Sequence, residues 1–529
     1  MKKTRIFTLG LAALLASGSG CIQDLETLPL DRDEVVAGTV YDSKEAYLSV
    51  LAKVYAGLAV SGQQGPAGMP DISGIDEGFS TYIRQYWKAQ ESTTDEAMIA
   101  WQDGNLRDYH DMDWTSANEF VTAMYNRIYY QIALVNEFIR EASDAKLDER
   151  GFSAADKAEI ARYRSEARVI RALSYWHALD MFRNVPFVTD QNAVGAFFPE
   201  QTNAAELFTY IESELKAVES ELAEASATPY ARASKAVAQM ILAKLYLNAE
   251  VYIGQPKYAE CLAECDKIIN SGAFSLDPDY AHVFMADNNT SPEIIFPVAF
   301  DGMRTQTWGG MTFVIHAAIG GDMVSSDFGM DAGWGGLRTT SAFVGKFDDV
   351  TGETDSRAKF FTDGQSLEIE TISEFTQGYA ITKYTNMTSA GEPGSNLTFP
   401  DTDFPMFRLA DVHLMYAEAH LRGGGGDAGR ALSLVNALRE RAYGDQSGNI
   451  AAGELTLDFI LDERSRELYW ECHRRTDLVR FNQFTTDAYL WPWKGGVASG
   501  TAVDAKYEIF PLPASDVGAN PNLTQNPGY

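Results

Sequence analysis

Helical periodicity governs both ends of this chain and fails in its middle, and that interruption limits the folds open to it. Ser43 to Ala59, Ala117 to Ala142 and Ala154 to Phe182 read as amphipathic helices; in the last, Val169, Leu173 and Trp176 recur four and three residues apart on one face. Ala204 to Ala223, Ser234 to Tyr252 and Lys257 to Asn270 follow, with Val237, Ile241 and Leu245 on one stripe and Ser271-Gly272 as a stop. Between residues 275 and 400 the pattern gives way to short β-like runs, many glycines and isolated tryptophans. Helices return at Met406 to Arg422, Asp427 to Tyr443 and Glu454 to Phe481, and the run Gly423 to Gly426 ends the first of these sharply.

The expected fold is therefore mainly α. Paired helices with small residues such as Ala243 and Ala417 at close-approach positions resemble tetratricopeptide units, and a loop-rich, small-strand insertion region interrupts them. No segment carries the full tetratricopeptide pattern, so an irregular helical domain is the alternative. With 529 residues, 45% of them hydrophobic, the chain can bury a large core. Its formal charge of −31 opposes any phosphate backbone, which argues against nucleic acid as a partner. Four cysteines, at positions 21, 261, 265 and 472, are too few for a disulfide scaffold and lack zinc-ribbon spacing.

Lys2, Lys3 and Arg5 precede the apolar run Ile6 to Ala16 and then Ser17-Gly18-Ser19-Gly20-Cys21, the order of a secretory signal. Small residues just before a cysteine resemble a bacterial lipobox. On that reading residues 1–20 are removed, Cys21 is acylated, and 21–42 form a tether to the outer membrane at the cell surface. Asp24 and Glu26 resemble an acidic surface-export tag. An ordinary secretory signal with Cys21 near the cut is the alternative.

Residues that would mark an enzyme are scarce. No G-x-S-x-G or H-E-x-x-H motif and no phosphate-binding glycine loop occurs in the mature chain. His413 and His420 stand seven apart with nothing nearby to complete a ligand set, and Cys261 and Cys265, one helical turn apart, suit buried thiols. The 74 acidic residues leave a glycoside hydrolase with two positioned carboxylates open. Glu463, Arg464, Glu467, Glu471, Arg474, Asp477 and Arg480 crowd one stretch, where helical spacing favours ion pairing over catalysis.

Sugars offer a C–H face that stacks on indole and hydroxyls that need donors and acceptors. Trp101-Gln102-Asp103-Gly104-Asn105 sets an indole beside amides and a carboxylate, while Trp308-Gly309-Gly310 and Trp334-Gly335-Gly336 set indoles beside glycines in loop-like sequence. Asp71, Asp76, Glu77 and Arg84 occupy another polar stretch. Core packing is the competing reading for any single tryptophan, and Trp114, Trp176 and Trp470 in helical pattern are expected in the core.

Taken together these segments look familiar. The helix Arg171-Ala172-Leu173-Ser174-Tyr175-Trp176 leading to Phe182-Arg183-Asn184-Val185-Pro186, Arg408 to Ala419, Glu463 to Phe481 and the tail Phe510-Pro511-Leu512-Pro513 through Tyr529 resemble the SusD/RagB family across essentially the whole mature chain. Asp76-Glu77-Gly78, Ala100-Trp101-Gln102, Phe284 to Asn288, Tyr489-Leu490-Trp491 and Trp493 to Gly496 resemble its starch-binding founding member in loops, where packing dictates less. The resemblance implies one domain over 43–529. Its helical scaffold would cover about 43–274 and 405–481, and a glycan-facing insertion about 275–404. It further implies a non-catalytic lipoprotein that captures starch or malto-oligosaccharides and delivers them to a SusC-like TonB-dependent transporter. Trp101, Trp308 and Trp334 would form an aromatic arc, with Arg84 and Asp76 reaching hydroxyls. Ile99 stands where that member has a further tryptophan, and Trp308 where it has tyrosine. Its asparagine falls at Gly104, leaving Asn105 as a shifted candidate, so another glycan remains open. No cofactor is expected beyond a structural calcium for which Asp287, beside Asn288, is the candidate ligand.

Overall fold

A computed structural model describes residues 40–195 and 197–529. The chain divides into Met1–Tyr47 and Leu48–Tyr529. The signal, Cys21 and most of the tether lie outside the described residues.

The first half is a run of helices: α1 (Lys44–Ala59), α2 (Tyr82–Glu91), α3 (Glu119–Glu141), α4 (Ala154–Phe182), α5 (Ala204–Glu219), α6 (Lys235–Leu247) and α7 (Tyr258–Asn270). A two-residue strand, β1 (Met98–Ile99), lies between α2 and α3. From α3 onward each long helix packs against the next, α3 on α4, α4 on α5, α5 on α6 and α6 on α7, so apolar stripes are buried in succession as in helical-repeat proteins. Local chemistry fixes the starts. The side chains of Asn118 and Ser153 accept bonds from otherwise orphaned N–H groups, and Asn203 with Glu206 forms a reciprocal capping box.

Strand β2 (Ile294–Val298) then pairs antiparallel with β4 (Phe404–Arg408), Ile294 opposite Arg408 and Val298 opposite Phe404. Everything between the two strands is a loop-rich insertion. It contains one helix of more than two turns, α8 (Gly310–Ala318), and the short strand β3 (Leu337–Arg338). Beyond β4 come α9 (Leu409–Ala419), α10 (Ala428–Tyr443), α11 (Leu457–Leu468) and α12 (Arg474–Arg480), with α9 packed on α7, α10 and α11.

Three features depart from the periodicity reading. Met406 to Arg408 belong to β4 rather than to the start of a helix, because all five residues of that strand are buried and a wholly buried run does not distinguish strand from helix. The helix expected over Glu454 to Phe481 is broken between Leu468 and Arg474, with Trp470 (φ 64°) and Cys472 (φ 67°) in the left-handed region. That conformation costs roughly 1–2 kcal/mol per residue. It is offset by bonds that only the break permits: Trp470 Nε1 donates to Glu96 O (2.9 Å), Trp87 Nε1 to Trp470 O (3.0 Å) and Lys383 Nζ to Tyr469 O (2.6 Å). The third is α2, which the periodicity reading does not include although Arg84, Gln85, Lys88 and Glu91 recur at helical spacing; all ten of its residues, the polar ones among them, are buried.

The charged stretch on α11 and α12 lies in the interior. Arg408 bonds Glu471 (2.6 and 2.8 Å), Glu293 (2.7 Å) and Glu467 (2.7 Å). Arg357 joins Asp355, Glu463 (2.8 Å) and Glu467 (3.2 Å), and Arg441 joins Glu293 and Glu467. Burial pushes the Glu463 carboxyl upward, but Arg357, Arg466 and Arg439 outweigh it and hold the group at about 2; Glu467 is held lower still by Arg441, Arg408 and Arg357. Both oxygens of Glu463 and of Glu467 accept from arginines, and both side chains are fully buried, out of reach of a substrate.

Candidate functional site

Three of the nine tryptophans come together through a two-residue ladder. Strand β1 runs antiparallel to β3, Ile99 opposite Leu337, and Ala100 N–H donates to Gly336 O at 2.8 Å. Chains in such a ladder pass each other in opposite senses, so Trp101 just after one strand lies beside Trp334 just before the other. Their ring centroids are 6.3 Å apart and tilted by 44°, and Trp101 Nε1 donates to Trp334 O at 3.2 Å. Gly336 makes this approach possible, since a Cβ there would sit 2.5 Å from Trp101 Cζ2.

The end of α8 sets the backbone of Trp334. The N–H groups of Trp334, Gly335 and Gly336 donate, each at 2.8 Å, to the carbonyls of His316, Ile319 and Ala317 at the end of α8, where the helix supplies few or no partners of its own. Gly335 lies at φ 56°, a conformation glycine adopts without steric cost. Beneath the indole, the His316 ring stacks at 4.5 Å with an interplanar angle of 8°. Trp308, two residues ahead of α8, has its centroid 6.3 Å from that of Trp334 at 50°, and 5.0 Å from that of Phe399. The result is a curved row with Trp334 at its centre. Each of the three indoles is half-buried, whereas Trp87, Trp114, Trp176, Trp470 and Trp491 are in the core. Trp493 is also half-buried but packs on Met98, Ile369 and Ile372 and donates to Ile369 O at 2.8 Å.

Arg84 lies under this row rather than out in front of it. On α2 and only 4% exposed, its guanidinium donates to Gly78 O (2.8 Å) and Trp308 O (3.1 Å) and lies over the rings of Phe79 and Phe313 at 4.4 and 4.3 Å. Burial lowers its pKa to about 9 against the pull of Asp76 and Asp103. Lys88, one turn further along α2, is also buried; its ammonium lies 3.6 Å from the Phe120 ring centroid, and desolvation followed by Arg84 moves it well below the usual lysine value. Asp76 is exposed. Its Oδ1 accepts from Gly78 N–H at 2.8 Å and so shapes the turn whose carbonyl Arg84 holds beside Trp308. Asn105 is exposed in the loop after Trp101, with its main-chain oxygen bonded by Asn118 Nδ2 at 3.0 Å.

Phe79, Phe313, His316 and Phe399 support the row and are not singled out by sequence reasoning. Phe313 and His316 follow Trp308-Gly309-Gly310 within two helical turns, which is the one local signal they offer.

The larger clefts lie elsewhere. One of about 590 Å³ gathers Arg140, Arg164, Arg168 and Arg171, but each is paired, with Glu137, Asp144, Glu214 and, for Arg171, Asp190 as well. Another, of about 550 Å³, includes Asp287, Asp301, Asp401 and Asp403. Asp287 accepts from Ser389 N–H (2.9 Å) and Ser389 Oγ (2.6 Å); burial opposes ionisation there, and these bonds outweigh it to hold the carboxyl below its ordinary value. Among the described residues no group of three His, Cys, Asp or Glu side chains is disposed to hold a metal ion, and Cys261, Cys265 and Cys472 are buried free thiols.

Residues 338–529 match the SusD family, and residues 73–247 match a family described as starch-binding and associating with the outer membrane. The chain is 34% identical to the starch-binding protein SusD of Bacteroides thetaiotaomicron, over 99% of this chain and 98% of that one. It belongs to the SusD family. Another relative is the SusD-like protein P25 of Formosa agariphila, 26% identical over 69% of this chain and 73% of its own. Solved SusD-superfamily structures share the fold. One from Parabacteroides distasonis superposes with a TM-score of 0.71 at 22% identity, covering 92% of this chain and 99% of its own. The surface glycan-binding protein A of Bacteroides thetaiotaomicron, in complex with laminarihexaose, superposes with a TM-score of 0.68 at 19% identity, covering 91% and 99%. The mainly α architecture is thus the SusD fold, and the indole row of this SusD-family chain is built where its insertion meets the loop after β1.

Proposed function

We propose that this SusD-family protein is a non-catalytic surface lipoprotein. On this reading it is anchored to the outer membrane through Cys21, captures starch or malto-oligosaccharides, and passes them to a SusC-like TonB-dependent transporter. The observation that carries the glycan reading is the row Trp101–Trp334–Trp308, three half-buried indoles in mutual contact. Successive tilts of 44° and 50° favour a coiled polymer, because a flat, extended glycan would need rings closer to one plane. Its 34% identical relative is named for starch binding, which supports an α-glucan as the occupant. Asp76, in the turn next to Trp308, and Asn105, in the loop after Trp101, are both exposed and are the groups we assign to sugar hydroxyls. Arg84 acts from beneath by holding the Trp308 carbonyl. For a calcium ion, the cleft beside Asp287 is where we would look.

Calorimetric titration with maltoheptaose, laminarihexaose and cellohexaose, run beside a reducing-end assay on starch, tests the reading. A dissociation constant on the order of 0.1 to 1 mM for maltoheptaose is expected, with weaker or no heat from the extended cellohexaose and no sugar released. Preference for laminarihexaose would move the assignment to another coiled glycan, and release of reducing ends at enzymic rates would overturn it in favour of a hydrolase.

A further inference from the structure

We propose that His316 is a positioning residue for the indole row, acting as an imidazolium that clasps the two segments carrying the supports of Trp334 and Trp308. The inference rests on the glycan-binding reading for its consequence and on geometry for its substance. The ring is 1% exposed, and both of its nitrogens face main-chain carbonyls: Nδ1 lies 2.6 Å from Ala332 O and Nε2 2.9 Å from Thr398 O. Carbonyl oxygens only accept, and because these belong to the backbone, no side-chain amide flip can turn either into a donor. A neutral imidazole owns one N–H, so it would satisfy one carbonyl and aim a lone pair at the other. Two N–H groups satisfy both. Turning the ring over would replace a nitrogen by a carbon and lose both contacts.

Burial disfavours charge in general, so the two carbonyls carry the proposal. Beside them, His316 occupies the last turn of α8, where the helix dipole is negative, and its ring stacks face to face on Trp334. Asp331 adjoins Ala332, and its carboxylate accepts from Thr398 Oγ1, which ties the two clasped segments together a second time. Asp401, further along the Thr398 segment, is bonded by Gly302 N–H and Ser395 Oγ, and the Arg84 guanidinium lies over the ring of Phe313, three residues before His316 on α8.

The two clasped carbonyls matter because each lies just upstream of a ring that shapes the row. Ala332 stands two residues before Trp334, and Thr398 one residue before Phe399, the ring against which Trp308 packs. The main-chain oxygen of His316 also accepts the Trp334 N–H. One residue therefore sets the attitude of two of the three indoles. Loss of its second proton donor releases one segment or the other.

Nitrogen-15 NMR of the histidine-labelled full chain reads the charge directly, without ligand. Both His316 nitrogens are expected to be protonated at the pH of full binding; a neutral ring with one N–H there would overturn the proposal. Maltoheptaose titrations from about pH 5 to about pH 8.5 read the consequence. Affinity is expected to fall about tenfold as the ring loses its proton, and His316→Gln, which keeps one donor, to bind about tenfold more weakly than the protonated protein with no such fall. Identical pH profiles for the two proteins would refute the clasp. Should the wild-type chain bind no α-glucan at any pH, the ligand reading fails while the NMR result still decides the state of His316.

Discussion

The lattice around Glu467 and the row around Trp334 both concentrate residues that binding and catalytic sites use, and they end in opposite conditions. In the lattice, Arg357, Arg408 and Arg441 together bond both carboxylate oxygens of Glu467 in the buried interior. In the row, each indole is fixed from behind, by His316, by Phe399 or through the Trp101 Nε1 bond, and remains half open in front. A dense patch of charge therefore says less about function than whether its members retain unfilled contacts. Removing one member of the lattice should cost fold; removing one ring of the row should cost ligand.

The largest expected effect comes from Glu467→Ala, which takes a shared carboxylate away from three buried guanidinium groups and leaves a net positive charge in the lattice. About 3–5 kcal/mol of stability should be lost in denaturant unfolding, with glycan affinity per folded molecule unchanged. A loss under 1 kcal/mol would erase the contrast between the two regions. Trp334→Ala should do the reverse, lowering affinity about 30-fold on an amylopectin gel or by calorimetry, because the central ring anchors both neighbours. Equal retention of the variant and the parent protein would move the site elsewhere.

A third test turns on protons. Burial pushes the Glu96 carboxyl up to about 7, with Arg474 opposing and Asp95 adding, and its neighbour Glu91 is raised as well. The fold thus favours protonated Glu96, and this contribution is whole below the ordinary glutamate range and disappears as the pH climbs through about 7. Glu418 and Glu463, held at about 2 by their arginines, contribute with the opposite sign: their share is present above the ordinary range and disappears as the pH falls toward about 2. Glu96→Gln should accordingly stabilise the protein by about 1–2 kcal/mol at pH 8 and by much less at pH 5, measured by thermal unfolding. No difference between the two pH values would contradict a shared, protonated carboxyl. The smallest effect is expected of Gly336→Ala, whose methyl must displace Trp101; affinity should fall about fivefold with the melting temperature nearly unchanged.

The helices were legible where they are long and uninterrupted. Ala154 to Phe182, Lys257 to Asn270 and Asp427 to Tyr443 match the observed α4, α7 and α10 to within a residue, because their apolar positions recur at the helical period. Helix α2, which carries Arg84, is only ten residues long, and its polar residues Arg84, Gln85, Lys88 and Glu91, though spaced as on a helix, are buried rather than solvated. The break after Leu468 escapes notice for a different reason: Trp470 and Cys472 adopt a backbone conformation that their identities disfavour and that only their partners make worthwhile. At the candidate site, flanking glycines drew attention to Trp308 and Trp334, since a missing Cβ admits close neighbours. The supports Phe313, His316 and Phe399 acquire meaning only once β1 meets β3 and the end of α8 meets residues 334–336, which are contacts between segments far apart in the chain.

The pairing of β2 with β4 has a consequence for how such a chain can change. The insertion that holds Trp308, Trp334, His316 and Phe399 departs from and rejoins the helical body through adjacent strands, about 5 Å apart. The neck is not the only tie, since β3 pairs with β1, Arg357 reaches Glu463 and Glu467, and Lys383 bonds the Tyr469 carbonyl. The loops between these anchors are what can lengthen or shorten, for an entropic penalty that grows slowly with size. The stacked helices would keep their register throughout. Change can therefore be absorbed between fixed points, with the anchors and the helices behind them left as they are.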